Sequence, residues 1–76
     1  MIEIYGAKWC SYCKAAKLLC EEKGIVPVYL DIDVGENLKV LEERMGSKVK
    51  TIPQIFINGK LIGGFTELNK ELVKTK

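Results

Sequence analysis

The pattern of apolar and polar positions at the start of the chain predicts a strand followed by a helix. Residues 1–5 alternate between apolar and polar side chains, as expected for a half-buried β-strand. After a short loop, apolar positions recur at helical spacing, which predicts a helix from residue 10 to about residue 23. The apolar stripe of this helix consists of Ala16, Leu19 and Cys20. Gly24 follows at the position where a left-handed residue commonly ends a helix.

The middle of the chain predicts a second strand and a second helix. The strand covers residues 26–30, and Pro27 predicts that it lies at a sheet edge or is unpaired on that side, because proline has no N–H for pairing. Asp33 followed by Glu36 resembles a capping box, which would open a helix over residues 33–45. One side of this helix would carry Val34, Leu38, Leu41 and Met45.

The last third of the chain predicts a β-hairpin and a final helix. Two short strands, residues 54–57 and 60–63, flank an Asn-Gly dipeptide at positions 58–59, which is the strongest short signal for a tight hairpin turn. Thr66 can cap a last helix that extends to about residue 74.

These elements follow the order β-α-β-α-β-β-α, which predicts an α/β fold. A β-α-β unit of this spacing implies a right-handed crossover and parallel pairing of the first two strands, while the tight turn makes the last two antiparallel. The result is a four-stranded mixed sheet flanked by three helices, the minimal thioredoxin-like fold. We expect one domain, residues 1–76, because so short a chain cannot build two cores.

Composition and charge remove several classes of function. The net charge of +2, from 12 basic and 10 acidic side chains, is too small to indicate a nucleic-acid partner. No apolar run approaches the roughly 20 residues that span a membrane, and the N-terminus lacks the features of a signal peptide. We therefore expect a cytoplasmic protein without a membrane partner, and a monomer. The chain has no histidine, which excludes Ser–His and Cys–His catalysis as well as His-ligated metals.

The candidate chemistry lies in a cysteine pair, Cys10 and Cys13, that follows a strand and opens a helix. Near a helix N-terminus, Cys10 would face unpaired backbone N–H groups and the positive end of the helix dipole, which favour a thiolate. Lys8 would add positive charge. Cys13, one turn further in, should be more buried. We therefore predict thiol–disulfide exchange, with Cys10 as the attacking nucleophile and Cys13 as the resolving thiol.

Other interpretations of the cysteines are weaker. A structural disulfide between Cys10 and Cys13 would close so short a loop that it would contribute only about 2 kcal/mol, and a reducing cytosol would keep it open. A tetrahedral zinc site needs four ligands, which three cysteines without histidine do not supply, so we predict no metal site. Cys20 lies on nearly the same helix face as Cys13, and we favour a small buried hydrophobe over a regulatory thiol.

Three longer motifs resemble the glutaredoxin family. They are the opening Ile-Tyr-Gly-Ala-Lys-Trp-Cys-Ser-Tyr-Cys, the strand Thr-Ile-Pro-Gln-Ile-Phe-Ile with its Asn-Gly turn, and Ile62-Gly63-Gly64-Phe65. They run over nearly the whole chain, in order and at suitable separations. The resemblance implies that Pro53 is cis and packs beside the cysteines, although the sequence alone would favour a trans bond. It also implies that the Ile52 backbone N–H and C=O pair with the extended backbone of glutathione.

The same resemblance implies a glutathione site on matching residues. Lys8 would attract the glycine carboxylate, and Tyr12 would flank the bound sulfur. The remaining implied contacts are Thr51, Ile52, Pro53, Gly64, Phe65 and Thr66. Lys50 lies near a basic position that often precedes the threonine, in a loop slightly longer than usual. Two residues depart from the family pattern, because Ser11 replaces a proline and Thr66 replaces an aspartate that often pairs with the γ-glutamyl amine.

The implied function is that of a glutathione-dependent thiol–disulfide oxidoreductase that reduces protein disulfides and glutathione mixed disulfides through Cys10 and Cys13. Its expected partners are glutathione, as reductant, and disulfide-containing or glutathionylated proteins, with ribonucleotide reductase among the candidates. Trp9, directly before Cys10, is either a partner contact or simple packing.

Two alternatives stay open. One is a redoxin of the same fold that takes electrons from thioredoxin reductase and serves ribonucleotide reductase. The other is a module that holds a [2Fe–2S] cluster between two protomers through the nucleophilic cysteine and glutathione, for which Ser11 is the sequence signal. The intact Cys13 favours oxidoreductase work over cluster binding.

Overall fold

The computed structural model describes residues 1–74 of the chain, which form four strands and three helices. The strands are β1 (Ile2–Gly6), β2 (Val28–Asp31), β3 (Gln54–Ile57) and β4 (Lys60–Gly63). The helices are α1 (Ser11–Glu22), α2 (Asn37–Met45) and α3 (Phe65–Lys74). The element order predicted from the sequence is confirmed. None of the helices within residues 1–74 has both the length and the apolar character needed to cross a bilayer.

The four strands form one mixed sheet in the order β2-β1-β3-β4. Strands β1 and β2 run parallel, whereas the β1–β3 and β3–β4 pairs are antiparallel. Ile4 is central to this arrangement, since it pairs with Tyr29 on one side and Ile55 on the other. Strand β2 lies at an edge, as Pro27 predicted, and it begins only after that proline.

The two faces of the sheet carry separate cores because successive side chains of a strand point to opposite sides. Helices α1 and α3 cover one face, where the buried cluster comprises Ile2, Ile4, Ala16, Cys20, Ile55, Leu68 and Leu72. Helix α2 covers the other face through Leu41, which packs with Tyr5 and Phe56. Arg44 completes this smaller core, since its guanidinium carbon lies 3.8 Å from the centre of the Phe56 ring.

The predicted start of the second helix is wrong. Helix α2 begins at Asn37, and its N-cap residue, Glu36, makes no side-chain capping hydrogen bond. Asp33 instead accepts a hydrogen bond from the Trp9 indole nitrogen at 2.9 Å. Gly35 adopts a left-handed φ of +54°, which no continuous helix contains. Val34 therefore lies before the helix and is 56% exposed, rather than forming part of its apolar side.

The start of the third helix also differs from the prediction. Helix α3 begins at Phe65, so Thr66 lies inside its first turn and does not cap it. The Glu67 carboxylate accepts a hydrogen bond from the Gly64 backbone N–H at 2.8 Å, which is the reciprocal half of a capping box. The end of the first helix is confirmed, because Gly24 follows it with a φ of +77°.

Candidate active site

Cys10 is the N-cap residue of α1, in extended backbone conformation. Its sulfur accepts a hydrogen bond from the Cys13 backbone N–H at a distance of 3.2 Å. This N–H belongs to the first turn of the helix, where backbone donors have no partner within the helix. A negative charge on the Cys10 sulfur would therefore face both a hydrogen-bond donor and the positive end of the helix dipole.

The opposite wall of this site is the segment before β3. The Cys10 sulfur lies 3.8 Å from the Ile52 carbonyl oxygen. The Ile52–Pro53 peptide bond is cis and Pro53 is buried, as the family resemblance implied. Within residues 1–74 the Ile52 backbone N–H makes no hydrogen bond, so it is available to an extended ligand. Cys10 is 9% exposed and therefore largely buried, but less completely than Cys13, which is 0% exposed.

Cys13 lies deeper and has the opposite character. It is buried beside Ala7 and Cys10, with Tyr29 and Ile52 packed against this cluster. Burial, together with hydrogen bonding to Cys10, raises the pKa of Cys13 to about 12, while hydrogen bonds with the Ala7 backbone and Tyr29 act to lower it. Cys13 therefore keeps its proton at neutral pH, and the two thiols are close enough to interact. The predicted roles of outer nucleophile and inner resolving thiol fit these surroundings.

Cys20 is remote from this chemistry in character and in packing. It is buried in the core between the sheet and helices α1 and α3, with Ala16 and Ile4 in the same cluster. Burial raises the pKa of Cys20 as well, which keeps it neutral and unreactive. Its predicted role as a small buried hydrophobe fits this placement.

A cavity of about 260 Å³ lies beside Cys10 and gathers seven of the eight residues predicted to contact glutathione. Its walls are Tyr12, Thr51, Ile52, Pro53, Gly64, Phe65, Thr66 and Glu67. The Tyr12 and Phe65 rings lie with their centres 6.2 Å apart, on the α1 and α3 sides of the cavity. Three segments that are distant in sequence thus form one concave surface next to the outer sulfur.

Lys8 is the predicted contact that the structure does not bring to this cavity. It lines a separate cavity of about 460 Å³ with Lys14, Lys17 and Tyr29. Lys50 lies closer to the predicted site, because it lines a third cavity, of about 310 Å³, whose walls include the Thr51 and Ile52 segment.

Trp9 lines the third cavity as well, together with Ile32 and Val49. Its side chain is 70% exposed, so it contributes little packing. The hydrogen bond from its indole nitrogen to Asp33 nevertheless holds the ring in place on the surface. Of its two predicted roles, this arrangement favours the partner contact over core packing.

Glu67 is the site residue that the sequence analysis missed. Its carboxylate lines the cavity and accepts a hydrogen bond from Gly64, which lowers the pKa of Glu67. The available signal was the spacing, because a carboxylate three residues after an N-cap residue commonly caps the helix start. The N–H of Gly64, one of the implied glutathione contacts, is thus bonded to the protein itself. The carboxylate can instead pair with a ligand ammonium group.

The described residues, 1–74, contain no group of three or more Cys, Asp or Glu side chains placed to hold a metal ion. What the arrangement offers chemically is a pair of thiols in unlike surroundings. The outer one can attack a disulfide from the mouth of a helix, and the inner one can displace whatever becomes attached to it.

Comparisons with known proteins agree with this geometry. The family model described as glutaredoxin matches residues 2–62 of the chain. The glutaredoxin of Haemophilus influenzae is 42% identical over 72 residues, covering 87% of this chain and 83% of the relative. Glutaredoxin 1 from Francisella tularensis, solved in complex with cacodylate, is 34% identical with a TM-score of 0.78 and covers 97% of this chain and 93% of that chain.

Some relatives are considerably longer than this chain. The chloroplastic glutaredoxin-C5 of Arabidopsis thaliana is 39% identical over 74 residues, which represent 91% of this chain but only 41% of the relative. The chain spans less than half the length of this protein and of two further curated relatives.

Proposed function

The chain belongs to the glutaredoxin family, and from this membership and the surroundings of its cysteines we propose that it is a glutathione-dependent thiol–disulfide oxidoreductase. The observation that carries the proposal is the position of the Cys10 sulfur. It accepts the Cys13 backbone N–H at the start of α1 and lies 3.8 Å from the carbonyl of Ile52, at the head of a concave surface. A thiolate at this point can attack a disulfide presented along that surface.

The reaction starts when the Cys10 thiolate attacks one sulfur of a substrate disulfide. A bond forms between the Cys10 sulfur and the substrate, and the second substrate sulfur leaves with the electron pair of the broken bond. With a protein disulfide as substrate, Cys13 loses its proton and displaces the substrate from Cys10. The Cys10–Cys13 disulfide forms, and the substrate leaves as a dithiol.

Glutathione completes the cycle. One glutathione thiolate attacks Cys10, which frees Cys13 and leaves glutathione attached to Cys10. A second glutathione then attacks that mixed disulfide, releasing oxidised glutathione and the reduced enzyme. When the substrate is itself a glutathione mixed disulfide, Cys10 alone can carry out the cycle, because the intermediate is the same glutathione adduct.

The cavity lined by Tyr12, Ile52 and Phe65 is the proposed position of glutathione. The free Ile52 N–H and its carbonyl would pair with the backbone of the tripeptide, as in β-strand addition. At the other end of the cavity, the Glu67 carboxylate would pair with the γ-glutamyl ammonium of glutathione. Thr66 cannot form this ion pair because its side chain is uncharged.

The proposed partner of the glycine carboxylate of glutathione is a lysine next to Thr51. Lys50 shares the Thr51 and Ile52 wall, whereas Lys8 lines a cavity that includes neither residue. We therefore prefer Lys50 to Lys8 for this contact.

Protein disulfides and glutathionylated proteins are the proposed substrates. Ribonucleotide reductase as a partner, the monomeric state and the cytoplasmic location stay predictions. The exposed Trp9 indole beside Cys10 supports a protein substrate, because exposed aromatic side chains are common in recognition surfaces.

The proposed function is tested by turnover of a small glutathione mixed disulfide with glutathione and glutathione reductase. We expect turnover that saturates with the mixed disulfide and that disappears in Cys10→Ser. A parallel assay with thioredoxin reductase in place of the glutathione system separates the closest alternative. Rapid electron transfer from thioredoxin reductase, without turnover in the glutathione assay, would contradict the proposal.

The cluster-binding alternative has its own readout. Protein purified without oxygen and in the presence of glutathione would be brown and dimeric if Cys10 ligated a [2Fe–2S] cluster. A colourless monomer that turns over the mixed disulfide is the result that the proposed function predicts.

A further inference from the structure

Tyr29 lies directly behind the cysteine pair, although neither the sequence motifs nor the reaction above makes use of it. It stands on the edge strand β2, and its ring is half-buried against the cluster formed by Ala7, Cys10 and Cys13. Its hydroxyl donates a hydrogen bond to the Ala7 carbonyl oxygen at 3.1 Å. The hydroxyl therefore points inward beneath the start of α1, and not towards solvent.

The geometry at Gly6 shows that Tyr29 and Cys13 both face the same point of strand β1. A Cβ atom on Gly6 would lie 2.7 Å from the Cys13 sulfur and 2.7 Å from the Tyr29 hydroxyl oxygen. Both atoms thus border the same small volume, which is open only because residue 6 has no side chain. An O–H in this position can turn from the Ala7 carbonyl to the Cys13 sulfur without a change of rotamer, since hydroxyl rotation is its only requirement.

The pKa values of Tyr29 and Cys13 indicate which of the two donates a hydrogen bond to the other. Burial, and to a lesser extent the nearby Cys13, raises the pKa of Tyr29 to about 12, so the hydroxyl keeps its proton at neutral pH. Hydrogen bonding with Tyr29 in turn lowers the pKa of Cys13, as does the Ala7 backbone, against the larger effect of burial. Other ionisable groups near Tyr29 are Cys10 and Asp31, which also act to raise its pKa, and the Lys17 ammonium, which lies 5.7 Å from the centre of the Tyr29 ring.

We propose that the Tyr29 hydroxyl hydrogen-bonds the Cys13 sulfur while that sulfur carries negative charge, and so accelerates the steps in which the Cys10–Cys13 disulfide forms and breaks. This role rests on the proposed function and adds a residue to it. In the proposed arrangement the Tyr29 hydroxyl, with the backbone of Ala7 as a second donor to the Cys13 sulfur, acts as an oxyanion hole acts on oxygen.

The reaction step that Tyr29 would accelerate is the reduction of the Cys10–Cys13 disulfide by glutathione. The glutathione thiolate attacks the Cys10 sulfur, a glutathione–Cys10 bond forms, and the Cys10–Cys13 bond breaks with its electron pair going to Cys13. Tyr29 donates its hydrogen bond to the developing charge, and Cys13 then takes a proton from water because its pKa is far above neutral. The reverse step, in which Cys13 attacks, passes through the same charged sulfur, so both directions gain.

The test is Tyr29→Phe, which removes the hydroxyl and keeps the ring. The probe is reduced glutathione, added to the oxidised protein, with the rate followed by Trp9 fluorescence or by acid quenching and mass spectrometry. We expect this rate to fall about tenfold, the size expected from loss of one hydrogen bond to a charged atom. The equilibrium between oxidised protein and glutathione should move less than about twofold, because Tyr29 acts on a charge that both end states lack.

Two comparisons separate this role from a structural one. Tyr5→Phe makes the same chemical change at a buried tyrosine on the opposite face of the sheet, and should leave the rate unchanged. In a Cys13→Ser background, where no charge develops on residue 13, adding Tyr29→Phe should change mixed-disulfide turnover by less than about twofold.

The proposal is overturned if Tyr29→Phe reduces as fast as the wild type, or if it slows the Cys13→Ser background to the same extent. A slowed rate accompanied by an equal shift of the equilibrium would likewise assign Tyr29 a packing role. A wild-type protein with no glutathione-dependent turnover would instead remove the proposed function, which makes the two failures distinguishable.

Discussion

The N-terminus of α1 and the protein interior behind it each contain a cysteine of the pair. Cys10 and Cys13 are three positions apart, but they differ in burial and in hydrogen bonding. Cys10 is the less buried of the two, with its sulfur accepting a helix N–H and facing the Ile52 carbonyl. Cys13 is enclosed, and burial raises its pKa to about 12. The Cys10 sulfur accepts a backbone hydrogen bond at the start of the helix, whereas the Cys13 sulfur keeps its proton at neutral pH.

The difference teaches that the motif alone does not assign the roles. Two cysteines spaced by two residues become unlike because one is the last residue before a helix and the other is inside its first turn. Gly6 also contributes to the difference between the two cysteines, because its missing side chain leaves space for Cys13 against β1. Substitutions can test this difference between Cys10 and Cys13, beginning with the one of largest expected effect.

Serine substitution at each cysteine should break the contrast most clearly. Cys10→Ser removes the attacking sulfur, so turnover of a glutathione mixed disulfide should fall by about 1,000-fold or more. Cys13→Ser should retain this turnover within about threefold, because the glutathione adduct on Cys10 does not need a resolving thiol. Equal losses in the two variants, with thermal unfolding unchanged in both, would contradict the assigned roles.

Filling the space behind Cys13 should impair the inner sulfur and spare the outer one. In Gly6→Ala the new methyl group would meet the Cys13 sulfur at 2.7 Å, so the chain must shift, at a cost of about 1–3 kcal/mol in the free energy of unfolding. We expect slower reduction of the internal disulfide by glutathione, with a smaller effect on mixed-disulfide turnover.

Gly35→Ala is the control for this change. Gly35 also resists a side chain, but only through its φ of +54°, and no atom lies within 4 Å of the position of its Cβ. Its cost should be about 1–2 kcal/mol, measured by urea unfolding, with no change in disulfide reduction. A Gly6→Ala protein whose internal disulfide is reduced at the wild-type rate would show that the close approach of Gly6 to Cys13 has no chemical role.

Cys20 sharpens the comparison as a buried thiol without a partner in the reaction. Cys20→Ala should lower the free energy of unfolding by about 1 kcal/mol through lost packing, and Cys20→Ser by about 1–3 kcal/mol, because its hydroxyl is buried among apolar side chains. Both should keep wild-type turnover. A loss of turnover beyond the loss of folded protein would give Cys20 a redox role and refute its assignment as core.

The smallest effect concerns Glu67 at the far end of the cavity. Its folded-state pKa is lowered by the Gly64 hydrogen bond, so the bond stabilises the fold above the ordinary glutamate value of 4.5 and is lost as pH falls below it. Glu67→Gln should therefore lower Tm slightly at pH 7 and not at pH 3. Glu43→Gln, the same change at an exposed glutamate of α2, controls for net charge, and a pH-independent difference would contradict the assignment.

The features for which the sequence prediction agrees with the structure are those set by neighbouring residues. The Cys10 and Cys13 spacing, the Asn58-Gly59 turn and the proline before β3 all act within a few positions of themselves. The cis bond at Pro53 required the family resemblance, because the sequence by itself favours trans. Seven of the eight predicted glutathione contacts gather in one cavity, since the resemblance carries their spatial arrangement.

What the sequence could not supply depends on contacts between distant segments. Asp33 matched a helix-capping pattern, yet its side chain bonds Trp9, 24 positions earlier. Lys8 is close to Cys10 in sequence but faces the other side of α1, with Lys14 and Lys17. The sequence did not indicate a role for Tyr29, because Tyr29 comes close to Cys13 only when β2 pairs with β1.

The central claim is that the Cys10 sulfur reacts as a thiolate at the start of α1, and its alkylation rate at pH 6 tests this most directly. Reduced native protein is treated with iodoacetamide, and each cysteine is followed by peptide mass spectrometry, with guanidinium-unfolded protein as control. The account predicts that Cys10 reacts at least about tenfold faster than free cysteine, while Cys13 and Cys20 stay unmodified until unfolding makes all three alike. A native Cys10 no faster than free cysteine, or a Cys13 that reacts first, would contradict it.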